Sequence, residues 1–369
     1  MKHVRSVFLV IAALSCVMAA AADGIDGSQI YTRLNLVSDI AGVARFTDSN
    51  LVNPWGLAFG PTTPFWVADN GAGVSTVYDG GGHGFPVGSP LAVTIPTPTS
   101  ATGGAPTGLV FNDTGEFVVS AHSKSGSPTF LFSTEDGTIL GWSRAVNATS
   151  AVIAVDNSGS GAVYKGLAVG RTKKGNFLYA TNFHAGMVEV YDKNFTLVNE
   201  FTDATVGLNF APFGIQNIGG QLYVTFAKQK LPDKHDDDAG PGNGFVDVFD
   251  PDGTFVRRVA SHGTLNSPWG LAVAPDGFGK FSRDLLVGNF GDGRINAFGV
   301  STGEFEGQLI DPEGNPLTIN GLWALQFGNG APNGGSRQTL FFTAGIADES
   351  HGLFGSIRAG SGQEDNEDE

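Results

Sequence analysis

Six short phrases, each built around a glycine, recur along the 369-residue chain and constrain its fold more than any other feature. They read Asn53-Pro54-Trp55-Gly56-Leu57-Ala58, Pro106-Thr107-Gly108-Leu109-Val110, Tyr164-Lys165-Gly166-Leu167-Ala168, Pro212-Phe213-Gly214-Ile215, Pro268-Trp269-Gly270-Leu271-Ala272 and Asn320-Gly321-Leu322-Trp323-Ala324. Their glycines stand roughly 50 residues apart, near the length of a four-stranded propeller blade. Helical solenoids are excluded by composition. Fifty-four glycines and 28 phenylalanines, without long amphipathic helical patterns, favour short strands joined by tight turns.

Each phrase is followed by further strands, which completes the pattern of a blade. A second strand reads at residues 65–70, 177–182, 222–226, 285–289 and 340–344, and a third at 74–79, 187–192, 245–250, 294–298 and 353–357. In the second repeat, residues 117–120 and 129–134 compete for one strand, and Glu135-Asp136-Gly137-Thr138 turns the chain into residues 139–142. The glycines are expected where innermost strands converge and a side chain would collide with the next blade. A glycine can also mark a β-bulge, but six at blade spacing favour close packing. The last repeat runs out of apolar sequence after three strands. The alternating run at residues 31–37 is therefore expected to supply its outer strand and remove an open sheet edge. The fold expected is all-β: a six-bladed β-propeller whose N-terminal strand closes the last blade.

Residues 1–22 read as an export signal, with Lys2 and Arg5 before an apolar run and Ala20-Ala21-Ala22 as the cleavage site. The mature chain is expected to begin at Asp23, with one propeller domain over residues 23–358 and a disordered acidic tail over 359–369. The single cysteine, Cys16, leaves with the signal, so no intrachain disulfide is expected. Past the signal, 19 basic side chains face 36 acidic ones, a net charge of −17 that disfavours nucleic acid and anionic membranes. The expectation is a monomer without a membrane anchor, secreted to the periplasm or the extracellular space.

The order of residues 31–37, Asn53-Pro54-Trp55-Gly56-Leu57-Ala58, Glu135-Asp136-Gly137-Thr138-Ile139, Val163-Tyr164-Lys165-Gly166-Leu167-Ala168, Gly240-Pro241-Gly242-Asn243-Gly244 and Ser267-Pro268-Trp269-Gly270-Leu271-Ala272 resembles a family of secreted, mostly bacterial propellers related to the NHL-repeat group. The resemblance spans nearly all of the mature chain. It implies architecture and export, and no reaction.

In a propeller, loops leading into the innermost strands share a face with loops joining second to third strands, and both ring the mouth of the central channel. The first set contributes Asn53, Trp55, Lys165, Phe213, Trp269 and Asn320 as candidate ligand-binding residues. The second contributes Asp69, Asn70, Asn182, His184, Asn289, Asp292 and Asp348. Such oxygens suit a hard cation such as Ca²⁺, although Asn and Asp are also ordinary turn residues. The loop over residues 230–244 is the most acidic on that face, and Asp236, Asp237 and Asp238 are its candidate metal ligands. A solvated acidic loop is the plain alternative.

No nucleophile elbow, zinc motif or phosphate loop is present in the sequence. Two classes of function stay open. One is a binding or scaffold module whose Trp55, Phe213 and Trp269 stack on an extracellular protein, glycan or small molecule. The other is a Ca²⁺-dependent hydrolase or lactonase in which a channel metal polarises a carbonyl. The sequence favours the first.

Overall fold

A computed structural model describes residues 27–360; the segment read as an export signal and most of the acidic tail lie outside them. Six sheets radiate from one axis. Five are four-stranded, with inner strands Pro54–Ala58, Pro106–Phe111, Tyr164–Thr172, Phe210–Ile218 and Pro268–Val273. The sixth runs inward from Tyr31–Ser38 through His351–Ala359 and Leu340–Ile346 to Leu322–Phe327, with the short Phe46–Thr47 beside its outer strand. The N-terminal strand pairs antiparallel with His351–Ala359, from Tyr31 opposite Ala359 to Ser38 opposite Leu353. The ring is thus closed by its own N-terminus, as the strand count implied. The Tyr31 hydroxyl adds a further tie, donating to the Phe278 carbonyl at 3.2 Å on the neighbouring blade.

In the second blade, Phe130–Thr134 takes the place beside the inner strand. The competing segment forms a separate hairpin, Val119–Ala121 with Lys124–Gly126. At the C-terminus the last strand extends to Ala359, and the Gly360 amide donates to the Ile30 carbonyl at 2.9 Å.

The phrase glycines do two things at once. A Cβ on Gly56 would run into the Thr107 carbonyl, on Gly214 into that of Trp269, and on Gly270 into that of Trp323; on Gly166 it would sit 2.9 Å from the Phe213 oxygen. Adjacent inner strands therefore touch backbone to backbone. The inner-strand register also slips at this point in every blade, for instance between Tyr164 and Gly166 or Pro268 and Gly270. The bulge that the sequence reading set aside is present six times, alongside the close packing. The sixth phrase corrects the register too: Trp323-Ala324-Leu325, not Gly321, matches Trp55-Gly56-Leu57, and Gly321 is a turn residue at φ +68°.

A bulge leaves an amide without a ladder partner, and a buried amide needs one. Hydroxyls on the second strands supply it: Gly108 N donates to Ser133 Oγ at 3.1 Å, Gly166 N to Thr181 Oγ1 at 2.7 Å, Gly214 N to Thr225 Oγ1 at 2.8 Å and Ala324 N to Thr343 Oγ1 at 3.0 Å. Two of these hydroxyls also donate to the next blade, Thr181 to the Phe213 carbonyl at 2.7 Å and Thr343 to that of Trp55 at 2.5 Å.

Apolar packing follows the same sixfold plan. One cluster fills each gap between blades, such as Leu57, Phe65, Phe341 and Phe354 between the last and first, or Trp66, Leu109, Phe130 and Trp142 between the first and second. A seventh sits on the axis and contains Trp55, Phe213 and Trp323.

Candidate functional site

The leading ends of the inner strands converge on the face that carries the 230–244 loop, and there aromatic rings fill the axis. Trp323 is sandwiched between Trp55, at a centroid distance of 3.5 Å and 19° between planes, and Phe290 at 4.1 Å and 20°. Trp269 meets it edge-on at 5.8 Å, and Phe213 lies 5.8 Å away. These rings turn inward and pack on one another, with Trp55 only 3% and Phe213 0% exposed. They close this end of the channel and form the floor of its mouth.

Polar side chains from four blades stand on that floor. Lys165, 2% exposed, holds its ammonium 4.9 Å from the Trp55 ring centre and 5.9 Å from that of Phe183, and pairs with Glu135 Oε1. The other Glu135 oxygen accepts from Asn70 Nδ2 at 2.8 Å. Asn53 links the floor to the rim: its Oδ1 accepts from Trp323 Nε1 at 3.3 Å, and its Nδ2 donates to Glu349 Oε2 at 2.8 Å. Trp269 Nε1 donates to the Lys165 carbonyl at 3.2 Å. A buried ammonium is tolerated because an aromatic face and a hydrogen-bonded carboxylate replace its water.

The long loop reaches over this group. Its backbone folds back on itself, with Lys230 N donating to Asp236 O at 2.8 Å and Asp238 N to Lys228 O at 2.7 Å. Three successive carboxylates consequently point three ways. Asp236 accepts from or shares a proton with His235 Nδ1 at 2.8 Å, and Asp238 pairs with Lys228 at 2.7 Å. Asp237 turns inward, where its Oδ2 and the Ser267 hydroxyl are buried without hydrogen bonds of ordinary geometry. Burial pushes the Asp237 carboxyl up, opposed by the nearby Ser267 hydroxyl and Lys165. Burial also raises Glu349; Asn53 opposes the rise, while the charge of Glu135 adds to it. His235 is raised chiefly by its hydrogen bond with Asp236, which is lowered by the same bond.

Beside the mouth lies a pocket of about 410 Å³, lined by Phe290, Asn320, Asp292, Asp348, Glu349 and four glycines, with no basic side chain. The turn that carries two of its acids is unusual. Ala347, Asp348 and Glu349 are successive residues in the left-handed region, at φ +53°, +52° and +63°. Other residues of this face serve structure: Asp69 accepts from Thr76 N and Oγ1 at 2.9 and 2.8 Å, Asn182 donates to Glu189 at 2.7 Å, and Asn289 donates to the Thr264 carbonyl at 2.8 Å.

For a cation, the donor set divides. Glu135, His235 and Asp236 bring one ligand atom each within 4.8 Å of one another; among the described residues Asp237 and Asp238 join no such group. Any ion there would face the Lys165 ammonium, which already holds Glu135. A Ca²⁺ ion takes about 6 to 8 oxygens, and this group offers one imidazole and two carboxylates, one of them paired with Lys165, so it fits Ca²⁺ poorly.

Five of the six candidate ligand-binding residues meet at the mouth, and Asn320 lines the adjoining pocket. Sequence reasoning missed Trp323, Glu135, Glu349, His235 and Phe290. Aligning Trp323-Ala324-Leu325 with Trp55-Gly56-Leu57 would have found the first. The others sit on turns of unequal length, where repeat spacing carries no signal.

No family model matches the chain. Among solved structures it is similar to virginiamycin B lyase from Staphylococcus aureus (TM-score 0.52, 12% identity, covering 89% of this chain and 98% of that one). The soluble aldose sugar dehydrogenase from Escherichia coli is similar to the same degree (TM-score 0.52, 12% identity, 89% and 99%). At such identity these likenesses show the six-bladed fold alone. Relatives by sequence include two uncharacterised proteins of Acanthamoeba polyphaga mimivirus: R648, 34% identical over 331 residues (87% of this chain, 78% of the relative), and L690, 32% identical over 332 residues (87% and 84%). The resemblance read from the motifs pointed to mostly bacterial propellers, whereas these relatives are viral. The chain belongs to the propeller family that R648 and L690 represent.

Proposed function

We propose that this protein is an exported binding module and that the acidic pocket beside its channel mouth receives a cationic group, an ammonium or guanidinium, of a partner molecule. The observation that carries this reading is the pocket of about 410 Å³ lined by Asp292, Asp348 and Glu349 with no basic side chain, two of the acids held on three successive left-handed residues. Each such conformation costs on the order of 1–3 kcal/mol, and strain of that kind is kept where position matters. Phe290 offers a ring for a cation to approach. The rigid ring of blades holds these groups without a closing motion.

The Ca²⁺-dependent hydrolase reading is weaker here because the Lys165 ammonium is already paired with Glu135, one of the three residues grouped closely enough to hold a metal. Calorimetry with hexa-arginine and hexa-glutamate peptides tests the proposal. Saturable binding of the basic peptide, weakened at least tenfold by Asp348→Asn with Glu349→Gln, is expected. Absence of that binding, together with a melting temperature raised by millimolar Ca²⁺ over chelator, would overturn it in favour of the metal-dependent class.

A further inference from the structure

We propose that the opposite end of the channel is a second, independent site, built for an uncharged small molecule with both apolar and polar surface. Below the aromatic floor the inner strands enclose a cavity of about 460 Å³, within the size range of small-ligand pockets. Every blade contributes an aliphatic residue to its wall, Leu57, Leu109, Leu167, Ile215, Leu271 and Leu325, each of which packs mostly into the gaps between blades, and Val110 and Val169 line it too. Trp269 lines it as well, and that ring packs against Trp323 in the plug. The cavity is therefore blind at one end and reached from the face of the loops that join first to second strands.

Charge and polarity are distributed as such a ligand requires. Asp113 and Arg171 are the only charged residues on the lining, and they pair with each other at 2.7 Å on the exposed rim. The interior therefore presents no net charge to attract an ion. At the mouth, Gln216 Nε2 donates to Gln326 Oε1 at 3.4 Å across the opening between blades 4 and 6. That long bond leaves Gln216 Oε1 and Gln326 Nε2 able to meet a polar end of the guest. The lining thus offers apolar side chains together with amide groups and no unpaired charge, which suits a neutral guest with an apolar body and a polar end.

The experiment titrates the full chain with N-phenyl-1-naphthylamine, a neutral dye that brightens in apolar surroundings, and with its 8-sulfonate, which has the same rings and a negative charge. Saturable binding of about one neutral dye per chain is expected, with the sulfonate at least tenfold weaker. Leu167→Phe, which fills the wall, should weaken the neutral dye at least tenfold. Should that variant fail to fold, Gln216→Trp decides, since it caps a half-buried rim position outside the core and should have the same effect. Asp348→Asn, on the other face, should leave dye binding unchanged, so failure here and failure of the cation-binding reading are separate results. Non-saturable dye uptake, equal affinity for the two dyes, or affinity unaltered by Gln216→Trp would each overturn the proposal.

Discussion

Lys165 shows how one residue decides what a propeller mouth can hold. Its ammonium is buried on Trp55 and paired with Glu135, so replacing it with an apolar group would leave a carboxylate in a site shaped for an ion pair. Breaking one side of a buried pair typically costs about 3–5 kcal/mol, whereas removing both partners is far milder. Lys165→Met is expected to destabilise by roughly 3 kcal/mol in denaturant unfolding, Glu135 being slightly open to solvent. Lys165→Met with Glu135→Gln should recover part of that loss. Removing the ammonium should also make the remaining carboxylates bind Ca²⁺, read as a melting temperature that rises with millimolar Ca²⁺ in Lys165→Met and stays fixed in the parent. Glycine positions are as demanding. Gly214→Ala sets a methyl against the Trp269 carbonyl of the next blade, where neither backbone can yield without shifting a strand, and a loss of about 2–3 kcal/mol is expected.

At the scale of the strand, the hydroxyl ties connect one blade to the next. Thr181→Val keeps the shape of the side chain but removes the group that serves both the Gly166 amide and the Phe213 carbonyl. Two buried backbone groups then lack partners, and a destabilisation of about 2–4 kcal/mol is expected from chemical denaturation. A second tie, on the outer strand of blade 4, is sensitive to pH. Arg258 bridges Asp247 at 2.8 Å and Asp203 at 2.5 Å, joining its strand to the loop from the preceding blade. Burial pushes the Asp247 carboxyl up to about 6, with Arg258 only partly opposing it. The folded protein thus holds this proton more tightly than the unfolded chain. Its contribution to stability is full below about pH 3.8, falls as pH rises, and is gone above about 6. Asp203 acts in the other direction: its burial is outweighed by the hydrogen bonds from Thr205 and by Arg258, so it is lowered and its contribution is lost as pH falls. Asp247→Asn removes the first effect and also changes the hydrogen bond through which Asp247 helps to lower Asp203. Relative to the parent, the variant should gain on the order of 2–3 kcal/mol between pH 4 and pH 7, and parallel stability profiles would show that Asp247 does not carry the dependence.

On the scale of the whole molecule, closure and the axial plug are the features that make one object of six blades. The N-terminal strand contributes an entire outer edge and buries Tyr31 against Phe278 and Phe281. Deleting residues 27–38 should expose that edge and lower the melting temperature by about 10 °C or more, with aggregation following; an unchanged melt would mean that the last blade holds without its N-terminal partner. The plug of Trp55, Trp323 and Phe290 separates the two ends of the channel, so the two proposed sites are expected to act independently.

The repeats by themselves determined the six blades, the all-β class and the N-terminal closure, because blade geometry demands a glycine, a β-run and a turn at regular spacing, and each leaves a mark in sequence. Trp55, Lys165, Phe213 and Trp269 were legible as mouth residues for the same reason: they sit at fixed offsets from the phrase glycines. What those side chains do there was decided only by tertiary structure. Whether an aromatic ring faces a ligand or its neighbours depends on the width of the channel, and six inner strands in backbone contact leave room only for rings packed on one another. Likewise the partner of Lys165 is Glu135, 30 residues away on another blade, and Asp237 was separated from Asp236 and Asp238 by the backbone turns of its loop. Neither pairing has a period, since each arises where loops of different lengths meet around an axis.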